Sequence, residues 1–97
     1  MSRPRQTAES REKAAKDAFR MEIKLQRVHY DMTQGELADE VEMDRSVLSR
    51  FLADPDKLSV GRLRKIIHAL DLNPKTILAL LGYEPRVIQN INKEISL

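Results

Sequence analysis

Residues 32–52, MTQGELADEVEMDRSVLSRFL, carry two short helical patterns around a three-residue break. Thr33-Gln34-Gly35-Glu36 has the capping-box pattern, a hydroxyl at the N-cap and a carboxylate three residues on. Leu37, Ala38 and Val41 then share one face of a short helix. Glu42-Met43-Asp44 interrupts it. Asp44 is placed to cap the next helix, expected from Arg45 to about Ala53, with Val47 or Leu48 and Phe51 inward. Asp54-Pro55-Asp56 reads as a turn, because proline restricts the residue before it and cannot continue a helix.

The flanks are helical as well. Thr7 or Ser10 can cap a long helix running to about His29. It bears two apolar stripes, Phe19, Ile23 and Tyr30 on one side, and Ala14, Ala18, Met21, Leu25 and Val28 on another. Two stripes leave two readings. Either the helix covers the core with one side and its own N-terminal extension with the other, or the second stripe pairs with another protein. Ser59 can cap a helix to about Leu70 that buries Leu63, Ile66, Ile67 and Leu70. Asn73-Pro74 opens a fifth helix, with Ile77, Leu78, Leu80 and Leu81 along it and Gly82 at its end. After Pro85, Ile88, Ile91 and Ile95 stand at spacings of three and four, as in a short amphipathic helix. The expectation is an all-α fold of five helices, with an extended N-terminal helix and a short helical tail. Its divisions are a flexible basic arm at 1–6, a domain at 7–82 and a tail at 83–97.

Composition agrees. The 97 residues suit one compact domain, and 41% of them are hydrophobic, enough for a core. Three glycines and four prolines are too few for a hairpin-rich β fold. The absence of cysteine excludes disulfides and thiolate metal sites. No apolar run approaches the roughly 18 residues of a membrane span, and the N-terminus is too polar for a secretory signal. An intracellular, soluble protein with no membrane partner is expected.

The formal charge of +2 hides an uneven distribution. Residues 1–27 hold eight Lys/Arg against four Asp/Glu, residues 33–56 two against seven, and residues 57–75 five against one. A basic flank, an acidic middle and a second basic block must fit one reading. No Ser/His/Asp cluster has supporting context and no Gly-rich phosphate loop exists, so enzyme activity is not expected. His29 and His68 are remote in sequence and lack a metal-ligand pattern. No metal or cofactor is expected.

Two short helices joined by a tight turn form a helix-turn-helix, whose second helix enters the DNA major groove while the first braces it. The stretch from MTQGELADEVEMDRSVLSRFL through ADPDKLSVGRLRKIIHALDLNPKTILALLG resembles the Cro/CI-type (XRE-like) helix-turn-helix family of phage repressors and bacterial regulators. The resemblance covers about residues 19–82. It rests on Thr33-Gln34, Glu36-Leu37-Ala38, Met43, Ser46, Ser49 with Arg50, Ser59, and the run ALDLNP. It implies a sequence-specific regulator of double-stranded DNA, a phage or mobile-element repressor occupying an operator in the bacterial nucleoid or a phage-infected host.

The same resemblance assigns residues. Arg45, Ser46, Ser49 and Arg50 would face bases and nearby phosphates. Thr33 and Gln34 would stand at the backbone, with Gln34 on a phosphate or bracing the second helix. Lys57, Ser59 and Arg62 would hold the backbone on the other side. An arginine reads guanine O6 and N7 as a fork, while hydroxyls suit phosphate oxygens. Asp44 either caps its helix or accepts from a cytosine amino group. Arg3 and Arg5, on the arm, are expected at phosphates or a minor groove. Where the family usually has glycine in the turn, this chain has Glu42, which must bear strain or shift the turn.

Plainer readings stand beside these. Arg45 and Arg50 could be solvated charges paired with Glu42 or Asp54. Ile88, Ile91 and Ile95 either fold back on the monomer or form a homodimer seam, since operator-binding proteins usually read two half-sites. A rival function of another class is a protein-interaction module: an antitoxin, an anti-repressor or an inhibitor of a host protein. The acidic middle and the surplus apolar stripe favour it.

Overall fold

The structure, a computed structural model, describes residues 8–84 and 86–90. Five helices follow in order: α1 (Ala8–His29), α2 (Gln34–Glu40), α3 (Arg45–Ala53), α4 (Val60–Leu70) and α5 (Pro74–Leu80). A 3-10 turn, Pro55–Lys57, follows α3, and residues 86–90 are again helical. There is no strand among the described residues. The all-α expectation holds.

By contacts the described chain forms two compact units. Residues 20–72 make one, and residues 8–19, 73–84 and 86–90 the other. Within the first, Ile23, Leu37, Ala38, Val41, Met43, Leu48, Leu63, Ile66, Leu70 and Leu72 are buried. They come from all four helices of that unit, so α2 and α3 gain a fixed mutual geometry from shared burial rather than from their own short lengths. Within the second, Ala15, Phe19, Ile77 and Ile88 are buried.

Helix starts follow the local chemistry. Thr33 Oγ1 accepts from the Glu36 amide at 3.0 Å while the Thr33 amide donates to Glu36 Oε1 at 3.2 Å, the reciprocal box. Ser59 Oγ accepts from the Arg62 amide at 3.2 Å, and Asn73 Oδ1 from the Lys75 amide at 2.9 Å. Asp44 is the exception. It is the N-cap residue of α3, yet its side chain makes no capping hydrogen bond.

Helix ends turn left-handed. Asp31, Glu42 and Asp71 have φ of 53°, 56° and 55°, and Gly82 has φ of 104°. After α1, α2 and α5 two crossed backbone bonds close the end; for α2 the Met43 amide donates to Ala38 O at 2.8 Å and the Glu42 amide to Asp39 O at 3.2 Å. The break between α2 and α3 is thus a Schellman turn, with a glutamate where glycine would be unstrained. Lys65 Nζ stands 3.6 Å from Glu42 Oε2.

One residue of the inner stripe departs from the sequence reading, and burial elsewhere is graded. Tyr30 is 46% exposed, because α1 ends at His29 and the chain turns before Tyr30 can extend the inner stripe. Its ring meets His29 edge-on at 5.0 Å instead. Val47, Phe51 and Ile67 are half-buried, and Leu48 fills the α3 core position. On the outer stripe of α1, Met21, Leu25 and Val28 remain 56%, 60% and 72% exposed, with Ala14 and Ala18 exposed as well.

Candidate nucleic-acid interface

The surface of α3 is divided cleanly. At about 100° per residue, Arg45, Ser49, Ser46 and Arg50 fill an arc of about 140°, and Val47, Phe51, Leu48 and Leu52 the opposite arc. All four polar residues are exposed, as is Asp44 before them. Leu48 is fully buried, which fixes the helix's rotation about its own axis and so fixes which side meets solvent.

Both ends of α3 have neighbours from other helices. At its C-terminus, Arg20 Nη1 of α1 donates to the carbonyls of Leu52 and Ala53 at 3.3 and 3.5 Å. Those carbonyls belong to the last turn, where no intrahelical donor remains and a cation is favoured. At its N-terminus, the Arg45 guanidinium lies against Gly35 of α2. Neither contact was foreseen from the sequence, since each joins residues of different helices; only the basic character of Arg20 hinted at it.

The carboxylates that the plainer reading offered the arginines have other partners, although both arginines are solvent-exposed as that reading has them. Glu42 pairs with Lys65, and Asp54 with Lys57 at 4.0 Å. Among the described residues no carboxylate pairs with Arg45 or Arg50. The two arginines therefore present unneutralised charge on the exposed arc, and Glu42 and Asp54 are engaged by lysines instead. An exposed, donor-rich strip with two free guanidinium groups on a short braced helix suits a groove lined with acceptors.

A helix-turn-helix family model matches residues 23–77, more than half of the chain. The chain belongs to the helix-turn-helix family. It is a DNA-binding helix-turn-helix regulator, and the resemblance read from Thr33-Gln34 through the ALDLNP run is borne out at the level of the family. No curated protein and no solved structure matches the chain significantly.

In this helix-turn-helix, α2 precedes the turn and α3 follows it, the places of a supporting and a recognition helix in such a motif. Thr33 and half-buried Gln34 stand where α2 begins, and Thr33 already has its hydroxyl in the capping box. Ser59 is likewise engaged at the start of α4. Lys57 sits in the 3-10 turn after α3 and is exposed. Arg62 is drawn elsewhere: its guanidinium carbon lies 5.1 Å from the centroid of Phe51, a cation–π contact. It also lines an open groove with Asp39, Glu42 and Asp44. Arg3, Arg5, Ile91 and Ile95 lie outside the described residues. Ile88 is buried within the chain, as the fold-back reading of the tail has it. Among the described residues no helix is long and apolar enough to cross a membrane, and no group of three or more His, Cys, Asp or Glu is placed to hold a metal.

Proposed function

We propose that this regulator is a sequence-specific repressor, of phage or mobile-element origin, that occupies a double-stranded operator through the exposed arc of α3. Arg45, Ser46, Ser49 and Arg50 read base edges, with Asp44 at the margin accepting from a cytosine amino group. Thr33, Gln34, Lys57, Ser59 and Arg62 border the phosphates, and the arm with Arg3 and Arg5 adds charge beyond. The supporting observation is that Arg45 and Arg50 are exposed on one arc and, among the described residues, neither is ion-paired with a carboxylate. Because Asp44 makes no capping bond, its carboxylate is available to a base.

Selection of bound sequences from random duplexes tests the reading directly. A single consensus is expected, and shifts of that duplex disappear when Arg45 and Arg50 are both changed to alanine. Failure to enrich any sequence would sink it. Two half-sites in the consensus would mark a homodimer. Since Ile88 is buried, a seam in the tail falls to the segment beyond Asn90, and loss of dimer mass on removing residues 91–97 checks that.

The rival draws on a different face. Met21, Leu25 and Val28 are exposed in a row on α1, large apolar side chains at spacings of four and three. For an antitoxin, anti-repressor or host-protein inhibitor, that row is the contact. Capture of a partner that survives alanine at Arg45 and Arg50 but fails with Met21 and Leu25 changed to Gln favours the rival.

A further inference from the structure

Gly35 has no backbone reason to be glycine. It is the second residue of α2, and among the described residues Gly82 is the only glycine with positive φ. Glycine is a poor helix former, because it loses the most backbone freedom on folding. Alanine in this place would favour α2. The surroundings supply the reason for its absence. A methyl group on Gly35 would stand 2.6 Å from Arg45 Cζ, 2.7 Å from Nε and 2.8 Å from Nη2. Carbon atoms in contact keep roughly 3.5–4.0 Å apart. Gly61, also the second residue of its helix, has nothing within 4 Å of the same construction. One glycine makes room for a guanidinium and the other does not.

The occupant matters because of where it begins. Arg45 is the first residue of α3 and heads the exposed arc. An arginine side chain in open solvent samples many rotamers, and that freedom is lost on binding. A planar guanidinium lying against a bare stretch of backbone has part of that ordering done in advance.

We propose that Gly35 is a positioning residue for DNA reading: the side chain it lacks leaves a notch on the supporting helix that sets the orientation of Arg45. The inference rests on Arg45 as a base-contacting residue. Gly35 itself touches no base. The preference at the base pair read by Arg45 is thereby set in part from α2.

The experiment is a double-mutant cycle on the selected duplex with wild type, Gly35→Ala, Arg45→Ala and the double variant. Gly35→Ala weakens binding about tenfold, within the range of one bidentate contact. It flattens discrimination at one base pair and leaves the others intact. In the Arg45→Ala background the same change alters affinity less than about twofold, since the notch then holds nothing. The crowding atoms are the far end of a flexible side chain, so the fold accommodates the methyl. The unfolding midpoint of Gly35→Ala equals or exceeds that of wild type, with Gly61→Ala giving the bare effect of the exchange on a helix. In the free protein, Gly35→Ala moves the Arg45 Nε–Hε NMR resonance. Unchanged affinity, an equal loss in both backgrounds, or an unmoved resonance overturns the proposal. Wild type that enriches no duplex sinks the DNA reading and this inference with it, an outcome separate from wild type that binds but shows no coupling.

Discussion

Arg45 and Arg50 are both exposed and, among the described residues, both without a carboxylate partner, but their settings differ. Arg45 rests against α2, whereas Arg50 sits in the last turn of α3, where a cation suits the helix dipole. Each truncation to alanine is expected to cost about 1–3 kcal/mol of binding and to relax preference at one position, read by titrating single-base variants of the selected site. A uniform loss across all variants would mark the residue as a phosphate contact instead. Glu42 is the other residue that stands out. A β-carbon in the left-handed region costs roughly 1–2 kcal/mol, and the exposed pair with Lys65 returns about 0–1. Glu42→Gly is therefore expected to stabilise the fold by about 0.5–1 kcal/mol in urea titration. A loss of stability would show that the glutamate is fixed by more than the lysine.

The elements explain what a sequence reader sees and misses. Capping is local chemistry, so Thr33, Ser59 and Asn73 were legible with their helices, and so was the break at Glu42-Met43-Asp44. Asp44 shows the limit: the residue type and the position are right, yet no capping bond forms. Thr33→Ala is expected to cost about 1 kcal/mol of stability, and Asp44→Ala distinctly less, in the same denaturation series. Equal costs would contradict the difference between the two caps. Periodicity found the inner stripe of α1 through Phe19 and Ile23, but continued it to Tyr30, past the point where the helix stops. Of the candidate site, the polar arc of α3 followed from spacing. The hold of Arg20 on the end of α3, the notch at Gly35 and the drift of Arg62 onto Phe51 did not, because each needs the distance between helices, which no spacing along one helix contains.

At the scale of the molecule, charge decides how DNA is approached. Several cations of the basic blocks have partners within the chain: Lys57 with Asp54, Lys65 with Glu42, Arg11 with Glu84, and Arg62 over Phe51. Apart from Lys57 and Arg62, whose proposed phosphate contacts would replace these partners, few remain for phosphates. The slope of log affinity against log salt is expected to be shallow, about −3 to −5 per protomer, at about 0.9 per neutralised phosphate. A slope near −8 would mean that these pairs break on binding. Asp39 and Glu40 are exposed on α2, and they carry the molecule further in the same direction. If the slope is that shallow, such a protein lingers little on the millions of wrong positions a chromosome offers. Most copies would then stay unbound between visits, and a modest cellular supply would be enough to keep the correct address filled.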